Sequence, residues 1–212
     1  VPGLINGTPY QVRLRTVTAV GVSDASAAVS ATPRRAPDAP AIDSLVLGDG
    51  SLEVAFTPSS DGGSAIVDYE YSLDGGVTWV SAQSTQSPIL IADLVNGTSY
   101  GVQLRAVNEA GPGAPSVERS GTPRTAPGPV SIDAVSAGDG EVTVDVSLSS
   151  DGGSPITNFE YSLDGGLTWI ALDPAQTTSP ITIPGLENGT DYNLVVRGRN
   201  EAGPGAGQGD RD

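Results

Sequence analysis

The sequence predicts an all-β chain of tandem seven-stranded Greek-key β-sandwiches, and three observations carry that reading. The stretch Glu70-Tyr71-Ser72-Leu73-Asp74-Gly75-Gly76-Val77-Thr78-Trp79 returns almost letter for letter as Glu160 to Trp169, an offset of 169 − 79 = 90 residues. Between turn residues, the chain alternates apolar and polar positions with the two-residue period of a strand. With 28 Gly and 17 Pro in 212 residues, and 37% apolar residues, the composition suits short strands joined by many turns. A period near 90 is too long for a solenoid repeat and fits one whole β domain per copy.

The repeated decapeptide reads as a β-hairpin, a strand running into an Asp-Gly-Gly turn and returning to Trp. With a three-residue loop, Tyr71 lies opposite Trp79 and Tyr161 opposite Trp169, as aromatic cross-strand pairs that cap the core. The Ser-Ser-Asp-Gly-Gly-Ser loops at Ser59 and Ser149 share the offset, 151 − 61 = 90 at the Asp. Beyond them the offset becomes 92: Asn96-Gly97-Thr98 recurs as Asn188-Gly189-Thr190, and Asn108-Glu109-Ala110-Gly111-Pro112-Gly113 as Asn200 to Gly205. A partial third copy opens the chain, since Leu4-Ile5-Asn6-Gly7-Thr8-Pro9-Tyr10 matches the Asn96 region at 96 − 6 = 90.

Taken in order, residues 1–34 read as the final strands of one domain, with a turn at Asn6-Gly7 and strands at 8–18 and 25–32. A Pro-rich linker from Arg34 to Pro40 reads as a short, stiffened spacer. The complete domain at 35–124 then carries strands at 41–47, 51–57, 66–72, 77–81, 88–92, 98–108 and 116–122. A second linker, Pro123 to Pro129, leads into the domain at 125–212, whose seventh strand is not legible in the Gly-rich run Gly203 to Gly209. Alternation turns Leu52, Val54, Phe56, Tyr69, Tyr71, Tyr100, Val102, Leu104 and Ala106 inward. The second copy offers Val142, Val144, Val146, Phe159, Tyr161, Tyr192, Leu194 and Val196. It turns Glu70 and Arg105 outward, and likewise Glu160 and Arg197. If the third and sixth strands are neighbours, these form cross-strand ion pairs.

The formal charge of −15 and the absence of Lys oppose nucleic acid and anionic membrane surfaces as partners, because no basic patch exists to displace phosphate counterions. No apolar run approaches the ~18 residues that span a bilayer, so this segment carries no membrane insertion. Without His, Cys or Lys, no Ser has an imidazole, thiolate or amine to activate it, and only carboxylates remain for chemistry. Asp49, Asp61, Asp74, Asp139, Asp151 and Asp164 sit in Gly-rich turns, where Asp is a turn former. No cofactor is expected; calcium is the one candidate, with Asp49, Asp74 and Asp151 as oxygen donors at facing ends of the two sandwiches. The three Asn-Gly-Thr triplets are formal N-glycosylation acceptors, and the same letters are a favoured tight turn.

Leu4 with Tyr10, Leu94 with Tyr100, and Leu186 with Tyr192 place a tyrosine at the start of each sixth strand, where its hydroxyl can reach back to the preceding turn as a tyrosine corner. With the Asn-Glu-Ala-Gly-Pro-Gly turn, the Pro-rich junctions and the period of 90, the chain resembles tandem fibronectin type III domains of the bacterial kind, within the immunoglobulin-like sandwiches. It departs from that family at the second strand, where the family's usual Trp is Phe56 and Val146. The resemblance implies a non-enzymatic spacer or adhesion segment of a long extracellular, cell-surface or appendage protein, partnered by neighbouring domains and by a surface protein or glycan. Two alternatives are accessory modules of a secreted glycan-degrading enzyme and a phage-tail or filament subunit. With no Met and Val1 at the start, the sequence reads as part of a longer polypeptide. The competing expectation is a homopolymer in which the strand at 25–32 completes the last domain of a neighbour.

Overall fold

The computed structural model describes residues 1–207, and among these every regular element is a β-strand. Contacts sort the chain into two compact units. The first holds Val1–Leu45, Glu53–Leu90 and Tyr100–Gly121; the second holds Val46–Leu52, Ile91–Ser99 and Thr122–Asp212.

The first unit begins with β1 (Tyr10–Val12), β2 (Val17–Thr18), β3 (Gly21–Val22) and β4 (Val29–Ala31). Strand β1 pairs antiparallel with β4, Tyr10 opposite Ala31, and β2 pairs with β3. The long strand expected at 8–18 is therefore two short ones. Next along the chain come β5 (Ala41–Gly48), β6 (Ser51–Thr57), β7 (Asp68–Ser72), β8 (Val80–Ser81), β9 (Ile89–Ile91), β10 (Tyr100–Asn108), β11 (Gly111–Pro112) and β12 (Arg119–Gly121), of which the end of β5, the start of β6 and Ile91 belong to the second unit. Strand β10 organises this part. Its alternate residues Val102, Leu104 and Ala106 are buried, and it pairs with β7 on one side and with β12 at its start. Phe56 stacks on Tyr69 at a ring-centroid distance of 4.5 Å, in the tilted geometry that aromatic pairs favour.

The second unit carries β13 (Val130–Ala137), β14 (Glu141–Leu148), β15 (Asn158–Ser162), β16 (Ile170–Ala171), β17 (Ile181–Pro184), β18 (Val195–Asn200) and β19 (Gly203–Pro204). These form two sheets, ordered β13-β14-β17 and β16-β15-β18-β19. Between them lies one core of Val130, Val144, Val146, Phe159, Tyr161, Leu172, Ile181, Ile183 and Val196. Val146 fills the place of the absent Trp and is only 7% exposed, with Phe159 in the same cluster. Strands β5, β6 and β9 of the first copy follow the same order as β13, β14 and β17. The stretch 208–212, where the end of a seventh strand was sought, lies outside the described residues. No helix among the described residues is long and apolar enough to cross a membrane.

Candidate functional site

The repeated hairpin is built by an aspartate. Asp74 accepts hydrogen bonds from the hydroxyls of Ser72 (2.7 Å) and Thr78 (2.6 Å) and from the backbone amides of Val77 (3.1 Å) and Thr78 (2.9 Å). Asp164 repeats the set with Ser162, Leu167 and Thr168. The carboxylate holds open a loop longer than three residues, with Gly75 and Gly76 at φ of 73° and 85°. The register therefore differs from the expected one: Tyr71 pairs with Val80 and Tyr161 with Ile170, one residue past each Trp. The tryptophans do not cap the core. Trp79 donates its indole N–H to the Gly76 carbonyl (3.0 Å) and lies under the Arg105 guanidinium, 4.2 Å from the ring centroid. Trp169 and Arg197 repeat this at 4.0 Å.

The hydrogen bond from Thr78, then those from its backbone amide and from Ser72, lower the Asp74 pKa from 3.8 to about 2. Those from Ser162 and then Thr168 lower Asp164 likewise, to about 2. A carboxylate whose pKa is depressed on folding contributes stability that is fully present above its unfolded value. That contribution is lost as pH falls from 3.8 towards about 2. Acid titration of the melting temperature should accordingly show a steeper acid limb for the native chain than for an Asp74→Asn, Asp164→Asn double variant. Parallel limbs would remove the clamp from the account.

On the outer face of the same sheets, Arg105 Nε donates to Glu70 at 2.6 Å across the register pair β7–β10, and Arg197 Nε donates to Glu160 at 2.7 Å across β15–β18. Glu160 also accepts from Arg199 at 3.0 Å, and its side chain is 8% exposed against 25% for Glu70. Removing a partner from a buried carboxylate costs more than from a half-exposed one. Arg197→Ala should therefore lower unfolding free energy by about 2 kcal/mol, and Arg105→Ala by about 1 kcal/mol. Urea unfolding of the two variants checks the order; an equal or reversed order would contradict the burial argument.

Of the tyrosine corners, Tyr10 accepts from the Ile5 amide and Tyr192 from the Glu187 amide, each at 3.0 Å. Tyr100 stands at the equivalent start of β10. The calcium candidates are occupied locally. Asp49 accepts from Asn96 Nδ2 (2.7 Å), Asp151 from the Gly153 amide (2.8 Å), and Asp74 is the hairpin clamp. No group of three or more acidic, His or Cys side chains among the described residues could hold a metal. The glycosylation reading meets a similar obstacle: Asn96 donates to Asp49 and accepts from the Gly50 amide, and Asn188 does the same with Asp139 and Gly140.

The feature that sequence reasoning passed over is the bonding of each Pro-rich stretch to the Ser-Ser-Asp-Gly-Gly loop after it, which occurs twice in the same form. Arg35 donates its amide to the Gly62 carbonyl (3.0 Å) and Asp38 to Ser60 (2.9 Å); Thr125 and Gly128 do the same to Gly152 and Ser150 (2.8 and 2.9 Å). The linker is thereby zipped to the Ser-Ser-Asp-Gly-Gly loop. The Asn-Glu-Ala-Gly-Pro-Gly turn closes over it. Asn108 Nδ2 reaches the carbonyls of Arg35 (2.8 Å) and Asp61 (2.7 Å), while Asn200 Nδ2 reaches those of Thr125 and Asp151, both at 2.8 Å. Glu109 pairs with Arg34, and Glu201 with Arg124. Arg124 also donates its amide to the Gly48 carbonyl at 3.0 Å.

Glycine is required at this contact. A Cβ added to Gly63 would lie 2.3 Å from the Gly7 nitrogen, and one added to Gly153 would lie 2.3 Å from the Gly97 nitrogen. Both glycines hold a left-handed φ, 88° and 81°. The recurrence of Asn-Glu at 92 and of Asp-Gly-Gly at 90 was the available signal, but their partners are linker carbonyls, which leave no mark in a sequence.

Comparison with known proteins agrees with this architecture. No family model matches the chain. Endoglucanase B of Cellulomonas fimi is 31% identical over 221 residues, which covers 94% of this chain and 21% of that protein. Neural cell adhesion molecule 1-A of Xenopus laevis is 28% identical over 182 residues, covering 79% of this chain and 17% of that protein. The three-plus-four sheet order and the tyrosine corner, with relatives of these kinds, decide the family. The chain is a tandem array of fibronectin type III domains. A solved structure of chicken CNTN1 FN1–FN3 domains covers 81% of this array and 64% of its own chain, with 19% identity and a TM-score of 0.35. Likeness at that level does not bear on the arrangement or use of the domains. The fibronectin type III array spans about a fifth of the length of the relatives it matches.

Proposed function

We propose that this array is a non-enzymatic structural or adhesion segment of a longer extracellular or cell-surface protein, divided at residues 34 and 124, in which each domain is set on the next by a fixed joint. The observation that carries this reading is the linker. A flexible tether leaves its backbone groups to water, whereas both linkers here are hydrogen-bonded to the following domain at matching positions. The Asp clamps, the Trp–Arg–Glu faces and the tyrosine corners act as internal braces of each sandwich. Adhesion-molecule relatives support the reading at the level of class. Net charge of −15 keeps such segments apart in solution. Pulling the chain from its ends tests the mechanical part. Two resolved unfolding events with contour increments of about 30 nm, from roughly 90 residues at ~3.4 Å each, support independent load-bearing sandwiches. A featureless extension removes the proposal.

A second reading is favoured by one observation: the endoglucanase relative matches nearly the whole array. There, these domains are accessory modules beside a catalytic domain on the same polypeptide. Binding of the isolated chain to insoluble β-glucan separates the two, since retention on the polymer favours the accessory role and none is expected from a spacer.

A further inference from the structure

We propose that the free edge of β9, at Leu90, is a docking edge for an extended, basic segment of another protein, which adds to the β5-β6-β9 sheet as a further strand. The two copies differ at this edge, and the difference names the chemistry it takes. Strand β17 ends the sheet β13-β14-β17, and β9 ends β5-β6-β9. On β17, Gln176 lies along the open side. Its Oε1 accepts from the Thr182 amide at 2.9 Å, and its Nε2 donates to the Thr182 carbonyl at 3.0 Å. These are the two bonds that one residue of an adjacent antiparallel strand exchanges with its partner. The carboxamide, with an acceptor oxygen and a donor nitrogen, stands in for extended backbone and seals the edge.

In the first copy Ser84 holds the position of Gln176. Its carbonyl accepts from the Tyr69 amide at 3.0 Å, as that of Gln176 does from Phe159 at 3.1 Å. Its amide donates to the Asp68 carboxylate at 3.2 Å, as that of Gln176 does to the Asn158 side chain at 3.0 Å. The serine side chain is too short to reach the strand, and its hydroxyl turns to the Gln86 carbonyl at 3.3 Å. Leu90 corresponds to Thr182, because the bonds flanking the two strands recur: Phe56 to Ser87 and Val146 to Ser179 on one side, Leu94 to Gly50 and Leu186 to Gly140 on the other. Among the described residues no side chain bonds the Leu90 backbone. Leu90 itself, between buried Ile89 and Ile91, is 66% exposed. An open edge bearing an apolar side chain is a template for strand addition. Charge selects the strand. Asp43 and Glu53 are exposed on the same outer face, Glu53 at the position that the repeat sets opposite Leu90, and β5, β6 and β9 carry no Arg or Lys. A basic segment complements this edge, whereas a second copy of the chain, at −15, is repelled by it.

Titration of the isotope-labelled chain with the peptide acetyl-Lys-Thr-Val-Thr-Val-Thr-Lys-amide, read from amide chemical shifts and amide exchange, tests the edge. The Leu90 amide should shift and exchange more slowly on binding, while the Thr182 amide stays unchanged. Ser84→Gln, which supplies the carboxamide present in the second copy, should abolish the Leu90 response, and Gln176→Ser should create one at Thr182. The same peptide with Glu in place of Lys should leave Leu90 unmoved. No response at Leu90, or an equal response at Leu90 and Thr182 in the native chain, overturns the proposal. So does a Leu90 response that survives Ser84→Gln while Thr182 stays silent in Gln176→Ser. An undiminished response to the acidic peptide overturns the basic occupant, and a Leu90 shift that grows with protein concentration alone assigns the edge to a second copy instead.

Discussion

Leu104→Ala is expected to lower the unfolding free energy of the first complete sandwich by about 2–5 kcal/mol, while Leu14→Ala changes it by less than about 0.5 kcal/mol. The two leucines occupy the same place in the repeat, 104 − 14 = 90. Leu104 is fully buried, in alternation with Val102 and Ala106 on the inner face of β10. Truncation there leaves a cavity, and surrounding side chains relax into it only partly. Leu14 is 75% exposed, so its truncation removes little packed surface. Denaturant melts of both variants check the pair. A large loss at Leu14 would show that residues 1–34 bury this leucine in solution, and the account of that segment would fail.

The second large effect is expected at Asn200→Ala. This side chain is 3% exposed, donates to two carbonyls on different segments, Thr125 and Asp151, and accepts from the Ala202 amide at 2.8 Å. Alanine leaves two part-buried carbonyls and an amide without this partner, a cost of about 1–3 kcal/mol. Because one of those carbonyls belongs to the linker, the change reaches beyond the sandwich core. Calorimetry should show a lower melting temperature, and the linker amide of Thr125 should exchange faster with solvent. A lowered melting temperature with unchanged Thr125 exchange would show that Asn200 does not hold the linker backbone and would weaken the clamp interpretation.

The two-residue alternation made the sandwich legible. Strand β6 spans Ser51–Thr57 as the sequence predicts, and Leu52, Val54 and Phe56 are its buried face. Cross-strand logic also placed Glu70 beside Arg105, because charged residues at matched outward positions of neighbouring strands have few other partners to find. Loop length was not legible. The Asp74 side chain replaces backbone pairing in the hairpin, which lengthens the loop and moves Trp79 from opposite Tyr71 to a place beneath Arg105. Residues that act on backbone carbonyls were also hidden. Asn108 and Asn200 read as turn formers, since nothing in a sequence marks the linker oxygens they hold. For the same reason the prolines of the linker suggested a spacer stiffened by its own composition, whereas its amides are also hydrogen-bonded to the Ser-Ser-Asp-Gly-Gly loop that follows.

The fixed joint proposed above requires the amides on both sides of residue 124 to be held, and amide hydrogen exchange at Arg124 and Thr125 of the native chain tests it most directly. Arg124 donates to the Gly48 carbonyl of the preceding sandwich at 3.0 Å, and Thr125 to the Gly152 carbonyl of the following one at 2.8 Å. Both amides should exchange at least about tenfold more slowly than in an unstructured peptide. Gly153→Val, which drives a side chain into the Asn96–Gly97 backbone, should release Arg124 while sparing the amides of the core strand β15. Exchange at the unstructured rate at both positions in the unmodified chain would contradict the account.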